Sequence, residues 1–219
     1  MRIGTLERKT NETQVQVTLN LDGSGQYEVS TGVGSLDHLL RHVAVHGLFD
    51  LTVRATGDLE IDAHHTVEDV ALALGACLDQ ALGDRKGIVR MGHAYVPMDE
   101  SLAFVAVDLS GRPYSIIQAE WTAPMMGQLP ATLIPHFLES FATTGRINLH
   151  ARVLYGRDDH HQAEEDPHHR PVGRPCLDAL LGGCSGNGNA GLGLSRFAQQ
   201  LSSGLGRLRR GSRLALDAY

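Results

Sequence analysis

Aromatic residues make up only 5% of this 219-residue chain, and cysteine occurs three times. With 42% hydrophobic residues, the core is therefore aliphatic, and it is ample for one domain of fair size or two small ones. Cys77, Cys176 and Cys184 are odd in number and lack CxxC spacing, which speaks against a disulfide framework and for a reducing compartment. No stretch approaches the ~20 apolar residues of a membrane span. MRIGTLERKTNET at the start has no apolar signal core, so the expected location is cytoplasmic. Positive charge is not in excess either: a net charge of -6 and a pI near 6.0 argue against non-specific nucleic-acid binding.

What the chain does have is histidine in a repeated pattern. His-His-x-x-Glu occurs as His64-His65-Thr66-Val67-Glu68 and again as His160-His161-Gln162-Ala163-Glu164. Each copy follows a segment with strand character and opens a helical one. Residues four apart share a helix face, so His64 with Glu68, and His160 with Glu164, can each reach one metal ion. The neighbouring His65 and His161 are turned about 100° away and suit a second ion. Each motif then straddles two metals, with ligands drawn from different halves or different subunits.

Two further histidines stand in suggestive places: His38 in SLDHLLRHV and His150 in INLHARVLY. Together with the motifs they give six His and two Glu, which divide into two sites of three imidazoles and one carboxylate. Such nitrogen-rich sites suit Mn, Fe, Co, Ni or Zn, whereas Ca and Mg prefer oxygen shells. His42, His46, His93 and His136 read as surface or core residues. His168-His169 has no Glu three residues on and follows Pro167, so it is set aside.

The periodicity predicts strands over 2–9, 13–21, 26–30 and 48–56, with helices over 35–47 and 64–82, the latter closed by Gly83. The layout then recurs, with strands over 93–98, 102–109, 113–120 and 147–155, a helix over 131–144, and a second motif helix from near Asp159. LDHLLRHVAVHG in the first half matches IPHFLESFATTG in the second. This is an internal duplication, with halves over 1–92 and 93–164. The fold class is α+β: two small sheets, each with helices on one face, most economically packed with the helices in the middle.

The organisation changes after Glu164. Residues 165–219 hold 10 of the 25 glycines, 7 arginines and no lysine, and no lysine occurs anywhere after Lys86. Residues 182–193 read as flexible coil, and the whole segment reads as a divergent, poorly ordered tail.

LERKTNET, the long run from LDGSGQYEVS through DAHHTVEDVALALG, KGIVRMG, VPMDESLAFVAVDLSGRPY and LHARVLYGRDDHHQAE together resemble imidazoleglycerol-phosphate dehydratase of histidine biosynthesis, over about residues 2 to 164. The resemblance implies two duplicated four-stranded halves with the helices between the sheets, like the second domain of ribosomal protein S5. It also implies trimers that assemble into a twenty-four-subunit particle, with two Mn2+ ions per active site at subunit interfaces. The ligand positions it implies are His38, His64, His65, Glu68, His150, His160, His161 and Glu164. Its substrate-contacting positions fall on Glu12, Arg90 and Arg112. The implied reaction removes water from D-erythro-imidazole glycerol phosphate through a Mn-bound imidazolate and yields imidazole acetol phosphate. Glu12 and Glu164 are the candidate bases. Family members carry phosphate-holding lysines after the position of Glu164, and the corresponding stretch here begins EDPHHRP. A frameshift would explain that departure. The alternative reading is a catalytically impaired metal-binding assembly protein that lacks the lysines.

Overall fold

The computed structural model describes residues 1–98, 101–121 and 123–156. Strands form where side chains alternate between core and solvent. β2 (Thr13–Asn20) buries Thr13, Val15, Val17 and Leu19 and exposes or half-exposes the residues between them. It pairs antiparallel with β1 (Ile3–Lys9) and with β4 (Asp50–Gly57), and β3 (Tyr27–Ser30) joins β4 in parallel. The first sheet thus has the order β1-β2-β4-β3. The parallel β3–β4 pair is bridged by helix α1 (Gly34–Gly47), and α2 (His64–Leu82) follows β4.

The second half repeats the pattern. β5 (Met91–Met98), β6 (Ser101–Asp108), β7 (Tyr114–Gln118) and β10 (Asn148–Tyr155) form a sheet in the order β5-β6-β10-β7, again with only the last pair parallel. Helix α3 (Leu133–Gly145) stands where α1 stands in the first half. An addition not anticipated from the sequence is a short ribbon, β8 (Met125–Met126) with β9 (Leu129–Pro130), between β7 and α3.

The repeat extends to the helix ends. In both α1 and α3 a glycine is the last helical residue, and the next residue, Leu48 or Arg146, takes the left-handed conformation at φ 55° and 51°. Phe49 N–H then donates to the Ala44 carbonyl, and Ile147 N–H to the Ala142 carbonyl. Gly47 is needed for close approach rather than for its dihedral: a Cβ there would come within 2.5 Å of the Phe49 ring.

Helices α2 and α3 pack on each other between the sheets, α2 against β1, β2 and β4, and α3 against β7. The core they share includes Val15, Val17 and Val53 from the first sheet, Val67 and Val70 from α2, and Ile134 and Leu138 from α3. Each of these leaves water almost completely, which contributes roughly 1.5–3 kcal/mol per large side chain. Gly75 of α2 is what allows the helices to meet: a Cβ there would overlap Thr144 Oγ1 and the Phe141 carbonyl of α3. Across the same contact Thr144 Oγ1 donates to the Leu72 carbonyl at 2.9 Å. No described helix is long and apolar enough to cross a membrane.

Candidate metal centre where the two halves meet

The first His-His-x-x-Glu motif lies at the start of α2. Asp62, just before it, accepts a hydrogen bond from the His64 backbone N–H at 2.7 Å. The aspartate, one residue before the N-cap Ala63, thereby satisfies one of the helix's orphan donors. The first turn is fixed by this contact, and the two imidazoles diverge as the helical twist requires, with ring planes 79° apart and centroids 6.1 Å apart.

On one face, His64 Nε2 is 3.8 Å from Glu68 Oε2. A third residue joins them from the other half of the chain. His136 of α3 places Nε2 3.6 Å from Glu68 Oε1, and its ring lies 4.8 Å from that of His64. The three donor atoms of His64, Glu68 and His136 all fall within 4.8 Å of one another. His136 Nε2 is shielded from solvent and has no hydrogen-bond partner among the described residues. A shielded ring nitrogen facing a carboxylate and a second imidazole fits a divalent transition metal, because an empty polar pocket would leave that nitrogen unsatisfied.

His136 reads from sequence as a surface or core residue; the structure places it, half-buried, beside His64 and Glu68. The signal was present in the internal repeat: aligning LDHLLRHVAVHG with IPHFLESFATTG sets His38 opposite His136.

His65 points elsewhere. Its Nδ1 hydrogen-bonds Asp58 at 2.9 Å, which leaves Nε2 as the atom able to bind a ligand. The Asp58 hydrogen bond, aided by the charges of Asp58, Glu12 and Asp62, raises the His65 pKa above its ordinary value. Glu12, a minor contributor to that shift, is exposed in the turn between β1 and β2. His38 lies on α1 with its ring 4.2 Å from that of His42, which in turn faces His46 at 5.5 Å. Among the described residues His38 is not part of the His64–Glu68–His136 group.

His150 is not brought to that group either. β10 turns Leu149 and Ala151 into the core, so the alternation turns His150 out of the opposite face of the sheet. There it hydrogen-bonds Asn148 at 3.0 Å and lines a shallow cleft of about 340 Å³ with His93, Phe104 and Asp108. His160, His161 and Glu164 lie outside the described residues, as does the 165–219 segment.

The two candidate phosphate ligands sit at one end of the second sheet. Arg90, just before β5, forks onto Asp108 at the end of β6, with Nε at 2.5 Å and Nη2 at 2.9 Å. This fork holds the Asp108 carboxyl below its usual range, with a smaller contribution from Arg112. Arg112 is exposed in the turn that follows β6, where its N–H donates to Ser110 Oγ at 3.3 Å.

Comparison with known proteins supplies the context for this geometry. The family model described as imidazoleglycerol-phosphate dehydratase matches residues 31–166. The chain is 59% identical over 163 residues to the imidazoleglycerol-phosphate dehydratase of Roseiflexus sp. (strain RS-1), a match that covers 74% of this chain and 82% of that protein. It is 61% identical over 163 residues to the protein of that name from Chloroflexus aggregans, covering 74% and 80%. Among solved structures, imidazoleglycerol-phosphate dehydratase from Staphylococcus aureus subsp. aureus N315 superimposes with a TM-score of 0.68 at 27% identity, covering 91% of this chain and 95% of that one. The Pyrococcus furiosus structure in complex with (S)-C348 gives 0.64 at 26% identity, covering 88% and 92%.

Proposed function

The chain belongs to the imidazoleglycerol-phosphate dehydratase family of histidine biosynthesis, whose members are carbon–oxygen hydro-lyases, and on that premise we propose a metal-assisted dehydration of D-erythro-imidazole glycerol phosphate to imidazole acetol phosphate. The observation that carries this reading is the convergence of His64, Glu68 and His136 from two halves of the chain.

The three would hold one divalent ion, with Mn2+ as the expected metal. His65, oriented by Asp58, offers Nε2 to a second. Of the remaining donors expected from the resemblance, His38, His160, His161 and Glu164 would complete the shells from this chain or from a neighbouring copy, and His150, on the far face of its sheet, would not. When bound, the metal supplies Lewis acidity toward an imidazole ring nitrogen of the substrate.

The protein's own groups divide the other tasks. Arg112 and Arg90 carry planar, permanently charged guanidiniums suited to a phosphate. Arg90 must exchange the carboxylate of Asp108 for that phosphate or share it, whereas Arg112 is already exposed. Glu12 is an exposed carboxylate, open to a substrate. It is a candidate to take the proton lost from carbon, provided the bound substrate comes within hydrogen-bond reach. Glu164 is the other candidate.

The second sheet's outer face favours an assembly of copies. Met91, Tyr95, Tyr114 and Ile116 are exposed there, at 66%, 57%, 61% and 38%. The corresponding rows of the first sheet carry Thr5, Glu7, Gln14, Gln16, Thr18, Glu28, Thr52 and Arg54. Exposed apolar patches of this kind mark interaction surfaces.

The test is complementation of a histidine auxotroph that lacks the dehydratase, together with metal analysis and light scattering of the purified protein. Growth supports the proposal. Absence of growth from a folded, metal-loaded assembly overturns it in favour of a catalytically impaired metal-binding protein.

A further inference from the structure

Asp69 follows the metal motif by one residue and takes no part in it. One residue of helix twist rotates it about 100° from Glu68, and it is buried at 7% exposure. Both of its oxygens are engaged by the strand segment that carries Glu12. Oδ1 accepts Arg8 Nε at 2.8 Å. Oδ2 accepts the hydroxyl of Thr13, itself 4% exposed.

The turn between those two anchors is closed by Thr10. Its Oγ1 accepts the Thr13 N–H at 2.9 Å and the Glu12 N–H at 3.2 Å, and its own N–H donates to the Thr13 carbonyl at 2.9 Å. Glu12 therefore sits on a turn clamped on both sides by one carboxylate of the metal helix. That carboxylate is adjacent in sequence to Glu68, so the clamp ties the position of Glu12 to the helix that presents His64, His65 and Glu68.

We propose that Asp69 is a positioning residue that holds Glu12 in register with the metal helix. The proposal rests on the reading of Glu12 as a substrate-facing carboxylate. Both oxygens of this buried carboxylate are taken by Arg8 and Thr13, so it has no orientation left to spare for a metal. Thr13 supplies a hydroxyl where any strand residue of similar size would pack, which is the mark of a bond rather than of a filled volume.

The experiment uses the full chain, loaded with Mn2+, in four forms: wild type, Asp69→Asn, Glu12→Gln and the double variant. Glu28→Gln, which breaks the exposed Arg54–Glu28 pair, serves as the control for loss of an ion pair elsewhere. Two readouts are taken. Amide hydrogen exchange over residues 9–14 reports on the clamp itself, without reference to activity. Steady-state kinetics report on its use.

The proposal expects Asp69→Asn to raise exchange at Glu12 and Thr13 at least tenfold while residues 70–80 of α2 keep their protection. It expects kcat to fall at least tenfold with KM changed less than threefold, and it expects Asp69→Asn to add less than twofold to the loss already caused by Glu12→Gln. Multiplicative losses in the double variant overturn it, because Asp69 would then act independently of Glu12. Unchanged exchange overturns it as well. If wild-type protein is inactive, the dehydratase reading fails and exchange alone decides the clamp. Thr13→Ser, which keeps the hydroxyl, should restore protection that Thr13→Val removes, whereas equal loss in both marks a packing role.

Discussion

His64 and His136 are separated by most of one repeat in sequence, yet their rings lie 4.8 Å apart with an interplanar angle of 36°. They meet because α2 and α3 are the two helices that pack directly on each other between the sheets. Glu68 bridges them, with one oxygen toward each ring. The donor group begun by one short motif is therefore completed by the other half of the chain.

Replacing His136 with Ala should weaken divalent-metal binding by more than the roughly 10–100-fold that outer-shell changes cost. His150→Ala, on the far face of its sheet, should change affinity at this group less than about twofold. Competition titration with a chromogenic chelator measures both. Equal losses would mean that His150 reaches the ion after all.

Gly75→Ala should separate α2 from α3, because the new methyl overlaps Thr144 Oγ1 and the Phe141 carbonyl. Overpacking of this kind costs about 1–3 kcal/mol. Metal affinity should fall with it, since His64 and His136 are held in place by that same contact. Urea unfolding and metal titration of one variant check both effects.

Arg112→Ala and Arg90→Ala should leave the unfolding midpoint almost unchanged, since exposed ion pairs contribute little. Each should raise KM about ten- to a hundredfold, the worth of a lost hydrogen bond to a charged group. Arg90→Ala should show the smaller effect, because Asp108 already occupies its guanidinium. Steady-state kinetics with the phosphorylated substrate decide the order.

Burial pushes the Cys77 thiol up to about 11, and its Sγ lies 3.5 Å from the Val17 carbonyl. A protonated, enclosed thiol is a poor nucleophile. Iodoacetamide at pH 8 should leave Cys77 unmodified in the native protein and alkylate it after unfolding. Peptide mapping by mass spectrometry reads the site directly.

Asp22 and Asp50 both titrate below the ordinary carboxylate range in the folded protein. Asp22 is held down first by the Arg2 side chain, and Asp50 first by the Ser24 N–H, with the Gln26 N–H and Asn20 amide adding to it. A depressed folded pKa means that stability is fully present above the unfolded value. It is lost as pH falls from there through the folded value. Thermal unfolding between pH 7 and pH 2.5 should show this decline. Asp50→Asn should flatten part of it, at a cost near pH 7 of about 1 kcal/mol for the weakened hydrogen bonds.

Much of the fold was legible in the sequence because it rests on local regularities. The period-two run from Thr13 to Asn20 is a strand whose odd-numbered side chains are buried, and Gly83 closes α2 at φ 55°. The repeated halves were legible for the same reason, down to the glycines that end α1 and α3. Less legible was the reason for those glycines: Gly47 yields to the Phe49 ring, and the left-handed residue is the one after it. The β8–β9 ribbon carries no periodicity long enough to read.

The sequence alone determined which residue types could do the chemistry, the face shared by His64 and Glu68, and the family to which the chain is related, since all three depend on short-range spacing. Only the tertiary structure decided which distant side chains are partners. His136 joins His64 and Glu68 because helix packing brings α3 onto α2. His150 lies apart from them because one residue of strand register turns a side chain to the opposite face. Asp69 becomes a clamp for Glu12 because β1 and β2 lie against α2. Those choices depend on how elements pack across the core, which no local spacing encodes.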